Sequence, residues 1–106
     1  MTERPWIKSY GDSIPATINA DAYASVRDLL EQAMTKFADK PALRSFGQTL
    51  TYAEVDAKSR AFAAFLQTKL GVKKGDRIAV MAPNIFAFPV AMLGIHRAGA
   101  AQVNVN

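Results

Sequence analysis

Arg77-Ile-Ala-Val-Met-Ala82 and Ala100-Ala-Gln-Val-Asn-Val-Asn106, with the apolar stretch 83–99 between them, decide the fold of this chain. The first run follows a Gly-Asp turn and stops at Pro83-Asn84, so it reads as a strand. The stretch between the runs is helical in character, and the second run is again a strand. Two strands joined through a helix lie parallel, in sheets buried on both faces. The crossover is expected to be right-handed. A chain of 106 residues that stops on its second parallel strand is expected to be the opening of a larger α/β protein, holding little or none of the chemistry itself.

Working back from Arg77, Val72-Lys-Lys-Gly-Asp76 is a turn, and Gly71 stops the helix before it at the C′ position. That helix carries Val55, Ser59, Phe62, Ala63, Phe65, Leu66 and Leu70 at helical spacing. Thr51 and Glu54 form the S/T-x-x-E capping box at its start. Upstream, Ala42–Phe46 and Thr49–Thr51 flank Gly47-Gln48, a Gly-X pair suited to a tight hairpin loop. An amphipathic helix is predicted over 26–38, with Ser25 as N-cap and Val26, Leu29, Leu30, Ala33, Met34 and Phe37 on one face. Residues 1–24 hold Pro5, Gly11 and Pro15 without a period and read as an extended arm, with Trp6, Ile7, Tyr10 and Ile14 free to pack on the domain or on a second subunit. In the last helix, Asn84 is a candidate cap, Pro89 marks either a late start or a kink, and Gly99 is the stop. The division is thus an arm over 1–24 and the incomplete start of a domain over 25–106.

Half of the residues are hydrophobic, enough for a core and too many for disorder. The lack of cysteine excludes disulfides, thiol nucleophiles and cysteine metal sites, and suits a reducing cytoplasm. The net charge of +4 comes from the second half, where Lys58, Arg60, Lys69, Lys73, Lys74, Arg77 and Arg97 outnumber Glu54, Asp56 and Asp76. These cations are scattered over helix surfaces and one turn and read as solvated faces, so no nucleic-acid partner is expected. Ile78–His96 lacks formal charge over about the length of a membrane-spanning helix. Pro83, Asn84 and Pro89 interrupt it, so a buried strand–turn–helix is the better reading.

The candidates for chemistry fall away one by one. No glycine-rich phosphate loop of either usual spacing occurs. Gly71 and Gly75 bracket Lys73-Lys74, but they lead into a strand and put no helix N-terminus against an anion. His96 is the one histidine; it has no acid within a helical turn and reads as structural, favoured by the negative end of its helix. Glu54 and Asp56 sit where a helix start alone rewards acids. Phe62, Phe65, Phe86 and Phe88 have core spacings. No catalytic, cofactor-binding or metal-ligating residue is assigned.

Exact strings carry further. Leu50-Thr-Tyr-Ala-Glu54, Gly71-Val-Lys-Lys-Gly-Asp-Arg-Ile-Ala-Val80, Pro83-Asn84, Ala98-Gly99-Ala100 and Val103-Asn-Val-Asn106 stand in the order and at the spacings of the acyl-adenylate-forming enzymes, whose opening segment they closely resemble. Pro5-Trp6-Ile-Lys-Ser-Tyr10, Pro15-Ala-Thr-Ile18 and Val103-Asn-Val-Asn106 are similar to the bacterial long-chain fatty acid–CoA ligases within that superfamily. The resemblance implies an N-terminal portion of the large AMP-binding domain. It implies a parent enzyme that uses ATP, Mg2+ and coenzyme A to turn a fatty acid into acyl-CoA through an acyl-adenylate. The family's phosphate loop, adenine motif, ribose aspartate and mobile-domain lysine all lie beyond Asn106, so this piece is expected to bind no cofactor and to be inactive alone. Members often dimerise through N-terminal segments and work at the inner membrane face. The parent is therefore expected to be cytoplasmic or peripheral to the membrane, and the chain to self-associate through its arm or its open strand edges. The alternatives are a ligase for medium-chain or aromatic acids and a free-standing α/β interaction module.

Overall fold

A computed structural model describes residues 3–106. After a short 3-10 helix at Pro5–Ser9, the elements are α1 (Val26–Lys36), β1 (Pro41–Ser45), β2 (Gln48–Thr51), α2 (Tyr52–Thr68), β3 (Arg77–Val80), α3 (Ala87–Arg97) and β4 (Ala101–Asn104). The fold is α/β, with β1 and β2 antiparallel and β3 and β4 parallel through α3.

Local chemistry accounts for most boundaries. Ser25 accepts a hydrogen bond from the Asp28 N–H at 3.1 Å, and the Asp28 carboxylate accepts from the Ala24 N–H, which pins the start of α1. Thr51 closes β2 and caps α2, accepting from the Glu54 N–H at 3.2 Å while Glu54 accepts from the Thr51 N–H at 2.7 Å. Gly71, at φ +63°, lets the chain turn so that the Val72 N–H reaches the Leu66 carbonyl at 3.0 Å. Gly99, at φ +80°, ends α3 with two bonds, Gly99 N–H to His96 and Ala100 N–H to Ile95. That pair is the Schellman arrangement, and it feeds the chain straight into β4.

Three expectations need correction. The hairpin loop is Phe46-Gly47, not Gly47-Gln48, because Ser45 already pairs with Gln48. Both loop residues lie at positive φ, +48° and +76°, as a two-residue turn of the primed kind requires to match strand twist. Asn84 does not cap α3: Phe86 holds the N-cap position without a side-chain bond, and the chain reaches it through a turn in which the Ile85 N–H meets the Pro83 carbonyl. Pro89 then falls in the first turn of α3, where a missing N–H forfeits nothing, so the late start is the correct alternative. Finally, the arm is not wholly extended. It opens on the Pro5–Ser9 turn, and Trp6, Tyr10, Ile14 and Ile18 remain exposed.

The Phe46 position carries a testable cost. Phenylalanine is strained at φ +48°, where asparagine or glycine is at ease, and its side chain is 94% exposed, so it gains no packing in return. Phe46→Asn is expected to raise stability by about 0.5–1 kcal/mol, read as a higher urea midpoint with an unchanged slope. A lower midpoint would mean that the phenyl ring packs on something.

Two apolar clusters share α2 and α3. One joins Ala63, Leu66, Val80, Ile95 and Ala98, with Phe62, Ile78 and Phe88 around it. The other joins Met34, Val55 and Leu93 to the hairpin residues Ala42, Leu43 and Leu50. The β3–β4 register pairs Arg77 with Ala101 and Ala79 with Val103. Ile78 and Val80 face the helices, while Ala79, Met81, Ala101, Val103 and Val105 are exposed. An apolar sheet face of that kind is ordinarily covered. The 106-residue chain in isolation is expected to self-associate, and light scattering at a few concentrations checks it. A monodisperse monomer with a cooperative melt would overturn the expectation.

Candidate functional site

The cluster of charge with the most internal structure lies between the three helices. Arg97, in the last turn of α3, is buried, with its side chain 6% exposed. Its Nη1 donates to the Asp56 carbonyl at 3.1 Å, its Nη2 donates to the Asp56 carboxylate, and its Nε stands 3.5 Å from Glu31 of α1. Arg60 closes on Asp56 at 3.1 Å and Arg27 on Glu31 at 3.0 Å. Burial pushes the Asp56 carboxyl upward, but the Arg97 hydrogen bond and charge, followed by those of Arg60, hold it below its ordinary value. One guanidinium therefore ties α1, α2 and α3 together.

This corrects the reading of Arg97 as one of several solvated cations, and of Asp56 as an acid rewarded by helix position alone. Burying a guanidinium requires paired, hydrogen-bonded partners; Asp56 supplies the hydrogen bonds, while Glu31 supplies a charge 3.5 Å from an Nε that makes no hydrogen bond. The sequence did contain a signal. Arg97 is the one formal charge between Ile78 and Asn106, at the end of a helix whose other residues are mostly apolar.

The Lys73-Lys74 turn is closed upon itself. The Lys73 N–H donates to the Asp76 carboxylate at 2.8 Å, the Gly75 N–H to Gly99 at 2.9 Å and the Asp76 N–H to Lys73 at 3.0 Å. These amides are occupied and present no cradle to a phosphate. His96 is half-buried beside Leu30, Met34, Leu93 and Arg97. Among the described residues, no three His, Cys, Asp or Glu side chains converge as metal ligands would. Glu54 is committed to its cap. Phe62 packs on the α2–α3 core and stacks with Phe65 at 6.3 Å. Phe88 lines the same core.

In open parallel sheets ligands collect beyond the carboxyl ends of the strands. Here that region is the loop 81–86 after β3 and Val105-Asn106 after β4. A groove of about 340 Å³ runs nearby, between β2 and the start of α3, lined by Gln48, Thr49, Leu50, Lys58, Phe86, Ala87 and Val90. It contains one cation and no acid. Its polar lining is the Gln48 amide, the Thr49 hydroxyl and the Lys58 amine.

Comparison with known proteins gives this geometry a setting. The sequence pattern of the AMP-binding enzymes matches residues 30–106. The long-chain-fatty-acid–CoA ligase of Salmonella typhimurium is 48% identical over 98% of this chain, and that of Bacillus subtilis 31% identical over 100%. The chain spans only 18% and 19% of those proteins. Among solved structures, the N-terminal subdomain of Klebsiella oxytoca NpsA in complex with 3-hydroxybenzoyl-AMSN superposes with a TM-score of 0.75 at 30% identity, covering 85% of this chain and 23% of that one. A benzoate CoA ligase from Burkholderia xenovorans gives 0.70 at 32% identity, covering 76% of this chain and 16% of that one.

Proposed function

Because the chain belongs to the AMP-binding enzyme family, we propose that it is the N-terminal part of a long-chain fatty acid–CoA ligase. The parent joins ATP to a fatty acid, releases pyrophosphate, and passes the acyl group from the adenylate to coenzyme A. The observation that carries this reading is 48% identity, sustained over 98% of the chain, to a ligase named for that substrate. Identity to the aryl-directed structures is lower, at 30% and 32%. The long-chain reading is carried by the 44–48% identical ligases, since the Bacillus subtilis long-chain relative, at 31%, stands level with those structures. A relative in Mycolicibacterium smegmatis named for medium- and long-chain acids, 42% identical over 77% of the chain, keeps the medium-chain alternative open to test.

Residues 25–106 then form the start of the AMP-binding domain, and residues 1–24 the arm that precedes it. Their contribution is scaffold. The residues described here do not fit ATP, Mg2+ or coenzyme A: the one lysine-rich turn spends its amides internally, and no carboxylate cluster stands ready for a cation. No step of the reaction is routed through them. The groups that hold nucleotide and metal belong to the rest of the parent.

The arm presents Trp6, Tyr10, Ile14 and Ile18 to solvent, which supports homodimerisation of the parent through it. Among the described residues no helix is long and apolar enough to cross a membrane. A water-insoluble substrate supports a cytoplasmic enzyme that works at the inner membrane surface without spanning it.

The test uses the natural polypeptide that contains this chain. Its mass is measured first, then its pyrophosphate release with ATP and Mg2+. Release that needs a long-chain fatty acid supports the reading. Release with benzoate alone moves the assignment to aromatic acids. A natural product of only these 106 residues leaves the interaction-module alternative standing.

A further inference from the structure

Glu31 is addressed by two arginines at once. Arg27, one turn earlier on the same helix, donates from Nε to Glu31 Oε1 at 3.0 Å. Arg97 of α3 brings its own Nε to 3.5 Å from the same oxygen, too far for a bond between charged partners, which closes to about 2.7–2.9 Å. The two arginines have unequal need of it. The Arg27 side chain is 55% exposed and can turn to water, whereas Arg97 Nε is buried and bonds to nothing. A buried donor without an acceptor is costly, while an exposed ion pair one helical turn apart contributes little. Glu31 thus serves the partner that gains less from it.

The seat of α1 has the slack that a change of partner needs. Between α1 and α3, beside Arg27, Leu30, Glu31, Leu93, His96 and Arg97, lies a void too narrow for a water molecule. Water therefore does not fill it on behalf of Arg97. A cavity of about 200 Å³ lies where α1 meets β1, α2 and α3, among Leu30, Met34, Leu43, Tyr52, Val55 and Leu93. Well-packed interiors hold few voids of that size, and Met34 is the one fully buried side chain that α1 contributes. Arg97 Nε is enclosed by the residues described, so further chain in a longer protein covers it more and does not expose it.

We propose that α1 is a strap with two seats. In the seat described, Glu31 serves Arg27. In a tighter one it turns to Arg97 Nε, and α1 draws in over the void toward α3. The bonds between Arg97 and Asp56 hold in both, so α2 and α3 are the fixed frame and α1 is the moving part. The Asp28 contacts with Ala24 and Ser25 fix the end of the arm to α1, so the arm travels with the strap. Nothing in this depends on the ligase reading.

The experiment is amide hydrogen exchange, resolved by segment, on the whole natural polypeptide. Arg27→Ala frees Glu31 for Arg97. It is expected to slow exchange across Val26–Lys36 about tenfold, the factor for one charge-assisted hydrogen bond gained against an exposed pair lost. Glu31→Gln is expected to speed exchange in the same segment. In the Glu31→Gln background, Arg27→Ala is expected to change nothing, which separates the latch from the better helix propensity of alanine. Exchange in α1 that is unchanged or faster on Arg27→Ala overturns the proposal, because the exposed pair then holds the helix. Slowing that persists without Glu31 assigns the effect to propensity and also overturns it. So does slowing shared equally by α2 and α3, since α1 would then not move apart from them.

Discussion

Gly94→Ala is expected to destabilise the fold by about 1–2 kcal/mol, and Gly94→Val by about 4 kcal/mol, although helix propensity taken alone favours alanine by about 1 kcal/mol. Gly94 lies in the middle of α3, where a residue without a side chain is a poor helix former. Its value lies in the crossing with α2. A Cβ at this position would stand 2.7 Å from Phe62 Cδ1, 3.1 Å from Phe62 Cβ and 3.1 Å from the Ser59 carbonyl oxygen. The phenyl ring can swing, but the Ser59 carbonyl is backbone and Phe62 Cβ is fixed to it. The helices must therefore part by a few tenths of an ångström. Both apolar clusters include residues of α2 and α3, so parting them loosens dispersion contacts on both sides at once. Overpacking of a tight core costs about 1–3 kcal/mol, which outweighs the propensity gain, and a β-branched side chain adds to it. Urea midpoints of the two variants against wild type check the order. If Gly94→Ala proves more stable than wild type, the close approach is slack and propensity governs. Phe62→Leu combined with Gly94→Ala is expected to recover part of the loss, because it relieves the shortest of the three contacts.

That crossing also shows where sequence reasoning reaches its limit. Strand–helix–strand order, the Thr51–Glu54 capping box, the Ser25 cap and the glycine stops were all legible, because each depends on a few adjacent residues whose backbone preferences agree. Ser59 falls on the buried stripe of α2 by its spacing. Nothing in the pattern, however, says that Gly94 is the residue that meets it. A glycine in an apolar helix looks the same whether it faces a helix or solvent. The hairpin loop slipped by one residue for a related reason. Gly47 advertises a turn, but the turn's left-handed partner is a phenylalanine, a residue that sequence rules keep out of such positions. The cap of α3 is not legible, because Asn84 is an ordinary cap by type, while Phe86, which holds the position, makes no side-chain bond to announce itself. As for the site, the ligase reading proposes that the groups holding nucleotide and metal lie outside this segment. What the residues do reveal is the family, through strings such as Gly71–Val80 whose order is specific even where each piece is common.

The second large effect is expected at the buried charge cluster, and it is asymmetric. Asp56→Ala is expected to cost about 3–5 kcal/mol and Arg97→Met only about 1–2 kcal/mol. The two partners are buried to different depths: the Arg97 side chain is 6% exposed and that of Asp56 28%. Removing the Asp56 carboxylate leaves a guanidinium that cannot shed its proton, held by the main-chain carbonyl of residue 56 at 3.1 Å and by Glu31 at 3.5 Å, with its Nη2 stripped of the charged acceptor. Removing Arg97 leaves a carboxylate that still has Arg60 at 3.1 Å and access to solvent, while methionine fills the apolar part of the space. The double variant is expected to be less destabilised than the sum of the two, since each loss includes the stranding of the other charge. Additive losses would mean that the pair is not coupled. Acid should expose the same contact. The Asp56 carboxyl is held below its ordinary 3.8 in the folded chain, so below that value the unfolded chain takes up the proton first. Its stabilisation is complete above the unfolded value and fades as pH falls through the lower folded one. Urea midpoints taken from about pH 6 to about pH 2 are therefore expected to fall further in wild type than in the Asp56→Asn variant, with the two curves converging at the acid end. Curves that stay parallel throughout would show that Arg97 does not govern the titration of Asp56, and that the three helices are held by their apolar contacts alone.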